Sequence, residues 1–219
     1  MVKQKRICSI CKTTGHYSNN SKFHPKKKII YEKACRDKFT ISKYLKHISK
    51  IIKDILSRPQ KNDITYDILD TEIIIENKMI VLKEKQRQMK IGEIWQEILG
   101  NYNGYINLKN THESGLDIIS YTKKIVIELK NRTNTDNASL RKTNLDKLSK
   151  FKKCNPEYTC IYANINDSTK DLTLKGSCKT IIYNGVEIKH YIGYKFIEFV
   201  FGKDTDKIID FVKTCINDN

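Results

Sequence analysis

Apolar residues recur at helical spacing between Phe39 and Leu56, where Ile41, Leu45, Ile48, Ile52 and Ile55 form one stripe that Arg58-Pro59 ends. A second stripe, Ile91, Ile94, Trp95, Ile98 and Leu99, marks a long helix over about 79–99, stopped at Gly100. The short apolar run from Thr71 to Glu76 reads as a strand. Between the long helix and the next one lie three strand-like segments: Tyr105 to Leu108, Leu116 to Ser120, and the run Ile125-Val126-Ile127-Glu128-Leu129-Lys130. A helix over about 138–153 follows, burying Leu145, Leu148 and Phe151 and showing Arg141, Lys142, Lys147, Lys150 and Lys153 outward. Strands at about 158–164, 179–183 and 186–191 come next, the last two joined by the hairpin signal Asn184-Gly185. Helices at about 193–201 and 204–216 close the chain. This order predicts a mixed α/β fold, a central mixed sheet flanked by helices.

Residues 1–37 break the pattern. They carry little apolar periodicity but hold Cys8, Cys11, Cys35, His16 and His24. The chain therefore divides into a small basic module at 1–37 and a main domain at 38–219. At 219 residues the chain has length enough to bury a full core in one domain beside a small appendage.

Charge changes the picture more than length does. The chain has 41 Lys+Arg against 25 Asp+Glu, a formal net charge of +16. A lysine-rich codon bias accounts for part of the lysine but not for the shortage of acids, so a polyanionic partner is favoured. No apolar run approaches the length of a membrane span, and the N-terminus has no signal-peptide core. Four scattered cysteines (Cys154, Cys160, Cys178, Cys215) form no disulfide framework, so the expected setting is reducing and intracellular, with no membrane and no secretion.

Candidate chemistry gathers on the middle strands. Side chains alternate across a strand, so Glu128 and Lys130 leave the same face about 7 Å apart. Antiparallel pairing with the strand before it brings Asp117 beside Glu128. Two carboxylates that close repel by roughly 4 kcal/mol at an intermediate dielectric. A divalent metal between them is the natural relief, since Mg²⁺ is held by one or two carboxylates with waters and phosphate oxygens. Lys130 would then orient water and offset phosphate charge, which is the arrangement of a metal-dependent phosphodiester-cutting nuclease. Glu113, in a turn four residues before Asp117, competes for a place on the metal. The loop from Asn131 to Asn137 reads either as a DNA contact or as a polar connection with Asn137 as helix cap.

The wider wording around these residues is more specific. Gly92-Glu93-Ile-Trp-Gln96-Glu97, Glu113-Ser-Gly-Leu-Asp117 and Ile127-Glu128-Leu-Lys130-Asn131-Arg-Thr-Asn134-Thr135-Asp-Asn137 together resemble the type II restriction endonucleases of the PD-(D/E)xK superfamily, in particular enzymes that cut GGNCC sites. The resemblance covers roughly residues 90–153; Leu116 stands where the motif's proline would be. It implies a PD-(D/E)xK core over 38–219 and Mg²⁺-dependent cleavage of double-stranded DNA at a short palindrome. It further implies a homodimer and a cognate DNA methyltransferase. Glu93 becomes an additional metal-reaching acid by this resemblance, although its position opposite the apolar stripe equally fits a solvated helix face. DNA contacts are expected from Asn131, Asn134, Thr135, Asn137, Ser139, Arg141 and Lys142, the last two on a helix that directly follows the site. A homing or repair nuclease with the same core, and a non-catalytic zinc-containing nucleic-acid-binding protein, are the alternatives.

Outside the resemblance, Cys8-x2-Cys11-x4-His16 matches the first three ligands of a zinc knuckle, with Gly15 before the histidine. Ser21 stands where the last cysteine would be, so His24 is the preferred fourth ligand of a structural Zn²⁺ and Cys35 the alternative. Elemental analysis of the purified chain should find about one zinc per chain. Cys11→Ser should lose it and Cys160→Ser should keep it; zinc-free protein of unaltered fold would rule the site out.

Overall fold

In the computed structural model the described residues are 39–60, 67–109, 114–132, 137–166 and 176–218. The 1–37 module with Cys8, Cys11, His16, His24 and Cys35, and the site candidates Glu113, Asn134 and Thr135, lie outside them.

The first stripe forms α1 (Ile41–Ser57), burying Tyr44, Leu45, Ile48, Ile52 and Ile55. The second lies on α2 (Glu72–Gly100), which is longer than its stripe and absorbs the segment read as a strand at 71–76. Thr71 explains that correction: its hydroxyl accepts from the Ile74 amide and caps a helix whose first turns bury no residue. A short apolar run looks alike in a strand and in a helix, and here the cap decides.

Next come β1 (Ile106–Asn107), β2 (Ile118–Ser120) and β3 (Ile125–Arg132), then α3 (Ala138–Cys154) and β4 (Thr159–Asn166). The hairpin β5 (Ser177–Tyr183) and β6 (Val186–Ile192), then α4 (Tyr194–Phe201) and α5 (Thr205–Asn217), complete the chain. They build one six-stranded sheet in the order β1-β2-β3-β4-β6-β5. β1, β2 and β3 are antiparallel, β3, β4 and β6 are parallel, and β5 returns antiparallel on the far edge. The sheet is mixed, as the element order predicts. Among the described residues no helix is long and apolar enough to cross a membrane.

Alternation along β3 and β4 sends side chains into two separate cores. Ile127, Leu129, Ile161 and Ala163 pack with α1, the end of α2, α4 and α5. Val126, Cys160, Tyr162 and Ile188 pack under Leu145, Leu148 and Phe151 of α3. Glu128, between Ile127 and Leu129, therefore points into the α3 layer, where it is 1% exposed.

The end of α2 sits tightly on β1. A Cβ at Gly100 would lie 2.4 Å from Asn107 Cβ and 2.6 Å from Asn107 N. Alanine normally gains about 1 kcal/mol over glycine inside a helix. Here Gly100→Ala should instead cost about 1–3 kcal/mol in urea unfolding, because helix and strand must separate. Unchanged or greater stability would show that this contact is not made in solution.

Candidate active site

The site forms where β2 begins. Leu108 N donates to Asp117 O (2.7 Å) and Asp117 N to Ile127 O (3.2 Å), so Asp117 is held on both sides by backbone. β2 starts only at Ile118, which leaves the Leu129 amide to the Asp117 side chain: Leu129 N donates to Asp117 Oδ2 at 2.7 Å. Gln96, from the last turns of α2, donates through Nε2 to Asp117 Oδ1 at 3.1 Å. The carboxylate is thereby fixed in orientation by one main-chain and one side-chain donor.

Ile118 pairs with Ile127, which puts Asp117 and Glu128 at neighbouring positions on one face. Lys130 Nζ contacts Glu128 Oε1 at 2.8 Å. A second ammonium, Lys147 of α3, lies 3.8 Å from the same oxygen. Glu128 Oε2 is buried and has no hydrogen-bond partner among the described residues. Burial pushes the Asp117 carboxyl above the usual carboxylate range, against the opposing pull of the Leu129 amide, Lys130 and Lys147. Burial, and then the Asp117 charge, push Glu128 up as well, opposed by the two lysines.

The expected trio Asp117, Glu128 and Lys130 is thus brought together. Glu93 is not: both its oxygens accept from Arg58 Nη1, at 2.8 and 2.9 Å. It lines a groove of about 920 Å³ between α1, α2 and β1 to which neither Asp117 nor Glu128 belongs. The residue of that helix that reaches the pair is Gln96, one turn further on. Among the described residues no set of three or more His, Cys, Asp or Glu side chains gathers as a metal cage. The donor set is therefore two carboxylates, one of them with an unused buried oxygen. That suits a hard cation that keeps several of its waters, as Mg²⁺ does.

Of the expected DNA contacts, Asn131 is committed internally. Its Oδ1 accepts from Asn166 Nδ2 at 2.7 Å, and its Nδ2 donates to Gln88 O at 3.2 Å, tying β3 to β4 and to α2. Asn137 caps α3, accepting from Leu140 N at 2.8 Å. Ser139, Arg141 and Lys142 are exposed on the first turns of that helix. Lys147, read from the sequence as one of α3's outward lysines, is instead turned toward Glu128, because its position borders the buried stripe of Leu148 and Phe151.

The raised carboxyls tie stability to pH. A group whose folded pKa lies above its unfolded value favours the folded state at low pH and loses that contribution as pH rises through the folded pKa. The metal-free protein should therefore gain stability as pH falls from neutral toward the titration of the pair. Asp117→Asn should raise the metal-free melting temperature at neutral pH and flatten this dependence, as differential scanning calorimetry can measure. A lower melting temperature across the whole range would mean that the pair is not strained by its own charge.

No curated protein and no solved structure matches the chain. A family model described as Eco47II restriction endonuclease matches residues 27–215, which takes in every described element up to the last turn of α5. A six-stranded mixed sheet flanked by helices is consistent with such an enzyme. The chain belongs to the Eco47II restriction endonuclease family.

Proposed function

We propose that the chain is a Mg²⁺-dependent type II restriction endonuclease of the PD-(D/E)xK kind, hydrolysing duplex DNA at a short palindromic site from a centre formed by Asp117, Glu128 and Lys130. The observation that carries the reading is the Asp117–Glu128 pair, with Glu128 buried and its Oε2 unused, flanked by two ammoniums where β2 begins. A structural salt bridge to the buried Glu128 calls for no second carboxylate beside it, and breaking even in such a place is difficult for charges.

Asp117 and Glu128 would hold the ion, which when bound supplies a Lewis acid for the phosphoryl oxygen and lowers the pKa of a coordinated water. Gln96 and the Leu129 amide keep the Asp117 carboxylate from turning away from that position. Lys130 lies in the same line of side chains as Glu128, two residues on. Its ammonium can orient the attacking water and offset charge building on the phosphate. Arg141 and Lys142, exposed at the start of α3, would follow the DNA backbone. A palindromic target matches a homodimer with one centre for each strand. A methyltransferase of the same specificity is the partner that such an activity requires in its host. The zinc-knuckle-like segment at 1–37 would add further backbone contacts.

Incubation with plasmid DNA and Mg²⁺ should give discrete fragments, and chelation should abolish them. A smear would favour another kind of nuclease on the same core, and intact DNA would end the catalytic assignment. Asp117→Ala, Glu128→Ala and Lys130→Ala should each reduce cleavage by about 100-fold or more while leaving metal-free DNA binding in place. Glu93→Ala, whose carboxylate belongs to Arg58, should cost far less. A fully active Asp117→Ala enzyme would falsify the assignment at this pair.

A further inference from the structure

Among the basic residues of α3, Lys147 has an unusual setting. Its ammonium donates to Gly115 O at 3.1 Å and to Asn144 Oδ1 at 3.4 Å, and it stands 3.8 Å from Glu128 Oε1. The aliphatic stem lies over Gly115, whose φ is +60°. A Cβ there would meet Lys147 Cε at 3.3 Å and Nζ at 3.5 Å, so a glycine at 115 leaves the lane in which the lysine lies. The side chain remains 34% exposed, so it sits at the rim of the site with its end toward the acid pair.

This grip is weak by design of its partners. Two of them are neutral oxygens, and the carboxylate lies beyond hydrogen-bond distance. Lys130 holds the same Glu128 oxygen at 2.8 Å. In the free protein the two carboxylates and two ammoniums cancel. A divalent cation at the pair would leave two positive charges in excess. Like unit charges about 4 Å apart repel by roughly 4 kcal/mol at an effective dielectric of 20. The ammonium held least tightly leaves first, and that is Lys147. The anion nearest to receive it is the phosphodiester brought to the same place for cleavage.

We propose that Lys147 has two alternating partners: it is an internal counter-ion to Asp117 and Glu128 in the free protein, and a ligand of a DNA phosphate beside the cleavage position once a divalent ion occupies the pair. This rests on the nuclease reading above. It adds to that reading a residue that touches the substrate only in the metal-loaded state. Lys147 thereby couples ion binding to DNA binding, since each removes a competitor of the other. The ammonium needs only a rotation of its own side chain, with α3 unmoved.

The test is the salt dependence of binding to a short duplex that carries the cleavage sequence, or to a generic duplex where none is cut. It compares wild type, Lys147→Gln and Lys147→Arg in the full chain. Each is measured in EDTA and again with Ca²⁺, a hard cation of the same charge offered in place of Mg²⁺. With Ca²⁺ the slope of log affinity against log salt should be shallower in Lys147→Gln by about 0.9, the loss of one phosphate contact. Lys147→Arg should keep the wild-type slope. In EDTA all three should agree. Equal slopes for wild type and Lys147→Gln with Ca²⁺ would overturn the proposal. So would a loss that is the same with and without Ca²⁺ and is shared by the arginine variant, which would make the residue structural. If wild type fails to cut with Mg²⁺ yet shows the Ca²⁺-dependent slope difference, the nuclease reading falls and the Lys147 assignment stands.

Discussion

Everything at this site depends on where β2 starts. Because the strand begins at Ile118, the Leu129 amide of β3 has no main-chain acceptor opposite it and takes the Asp117 carboxylate instead. That one bond fixes an acid at the start of β2, between β1 and β3, and sets it against Glu128, whose burial is already decided by strand alternation. An unpaired buried amide would be costly, so the carboxylate cannot leave without a penalty. The charge repulsion at the centre is thus held in place by the hydrogen-bonding demands of an ordinary sheet.

The two lysines answer that repulsion from different elements and to different degrees. Lys130 shares its strand with Glu128, and its 2.8 Å contact follows from the two-residue period of β3. Lys147 arrives from α3 and makes its hydrogen bonds to neutral oxygens. Both act on Glu128 Oε1, which leaves Oε2 buried and without a partner among the described residues. The same α3 layer buries His190 against Tyr162, with its Nε2 2.8 Å from Asn164 Oδ1. Burial, with Arg141 and Lys179 nearby, lowers the His190 pKa to about 4. His190 is therefore a neutral packing element at physiological pH and adds no further charge to this face.

The two cores divide the labour. The layer of α1, α2, α4 and α5 packs on β3 and β4 mainly through apolar side chains, with Asn131 bonded to Gln88 O at its end, and it fixes the sheet against which the strands keep register. The α3 layer is thinner and gives way to polar groups toward the ends of β3 and β4, where Glu128, Lys130 and Asn164 follow one another. The βαβ crossover from β3 through α3 to β4 is what returns the basic helix over the acids. A right-handed parallel crossover leaves its helix on one side of the sheet only.

Most of the architecture was legible in the residues themselves. Period-3.6 stripes located α1, the C-terminal half of α2 and α3. Period-2 alternation located β3, and Asn184-Gly185 located the hairpin of β5 and β6, because these signals are local and repeat. Asp117, Glu128 and Lys130 were legible for the same reason: Glu128 and Lys130 lie on β3 and Asp117 directly precedes its antiparallel neighbour β2, one residue short of the strand expected from Leu116, so sequence spacing translates directly into distance. The strand expected at 71–76 failed because four apolar or capping residues carry no period long enough to separate strand from helix. Of the two readings of Glu93, the packing brings out the one on an outward helix face, where it meets Arg58, while Gln96 and Lys147, given no role at the acids from the sequence, are the helix residues that reach them. Gln96 and Lys147 each border a buried stripe, Glu93 lies across from one, and only the packing of α2 and α3 on the sheet tells which border faces the acids. Sequence by itself determined the elements and the chemistry of the central strands, since those follow from local periodicity and charge. The tertiary structure alone decided which helix residues enter the site, because a helix's rotation about its axis is set by the surface it packs against.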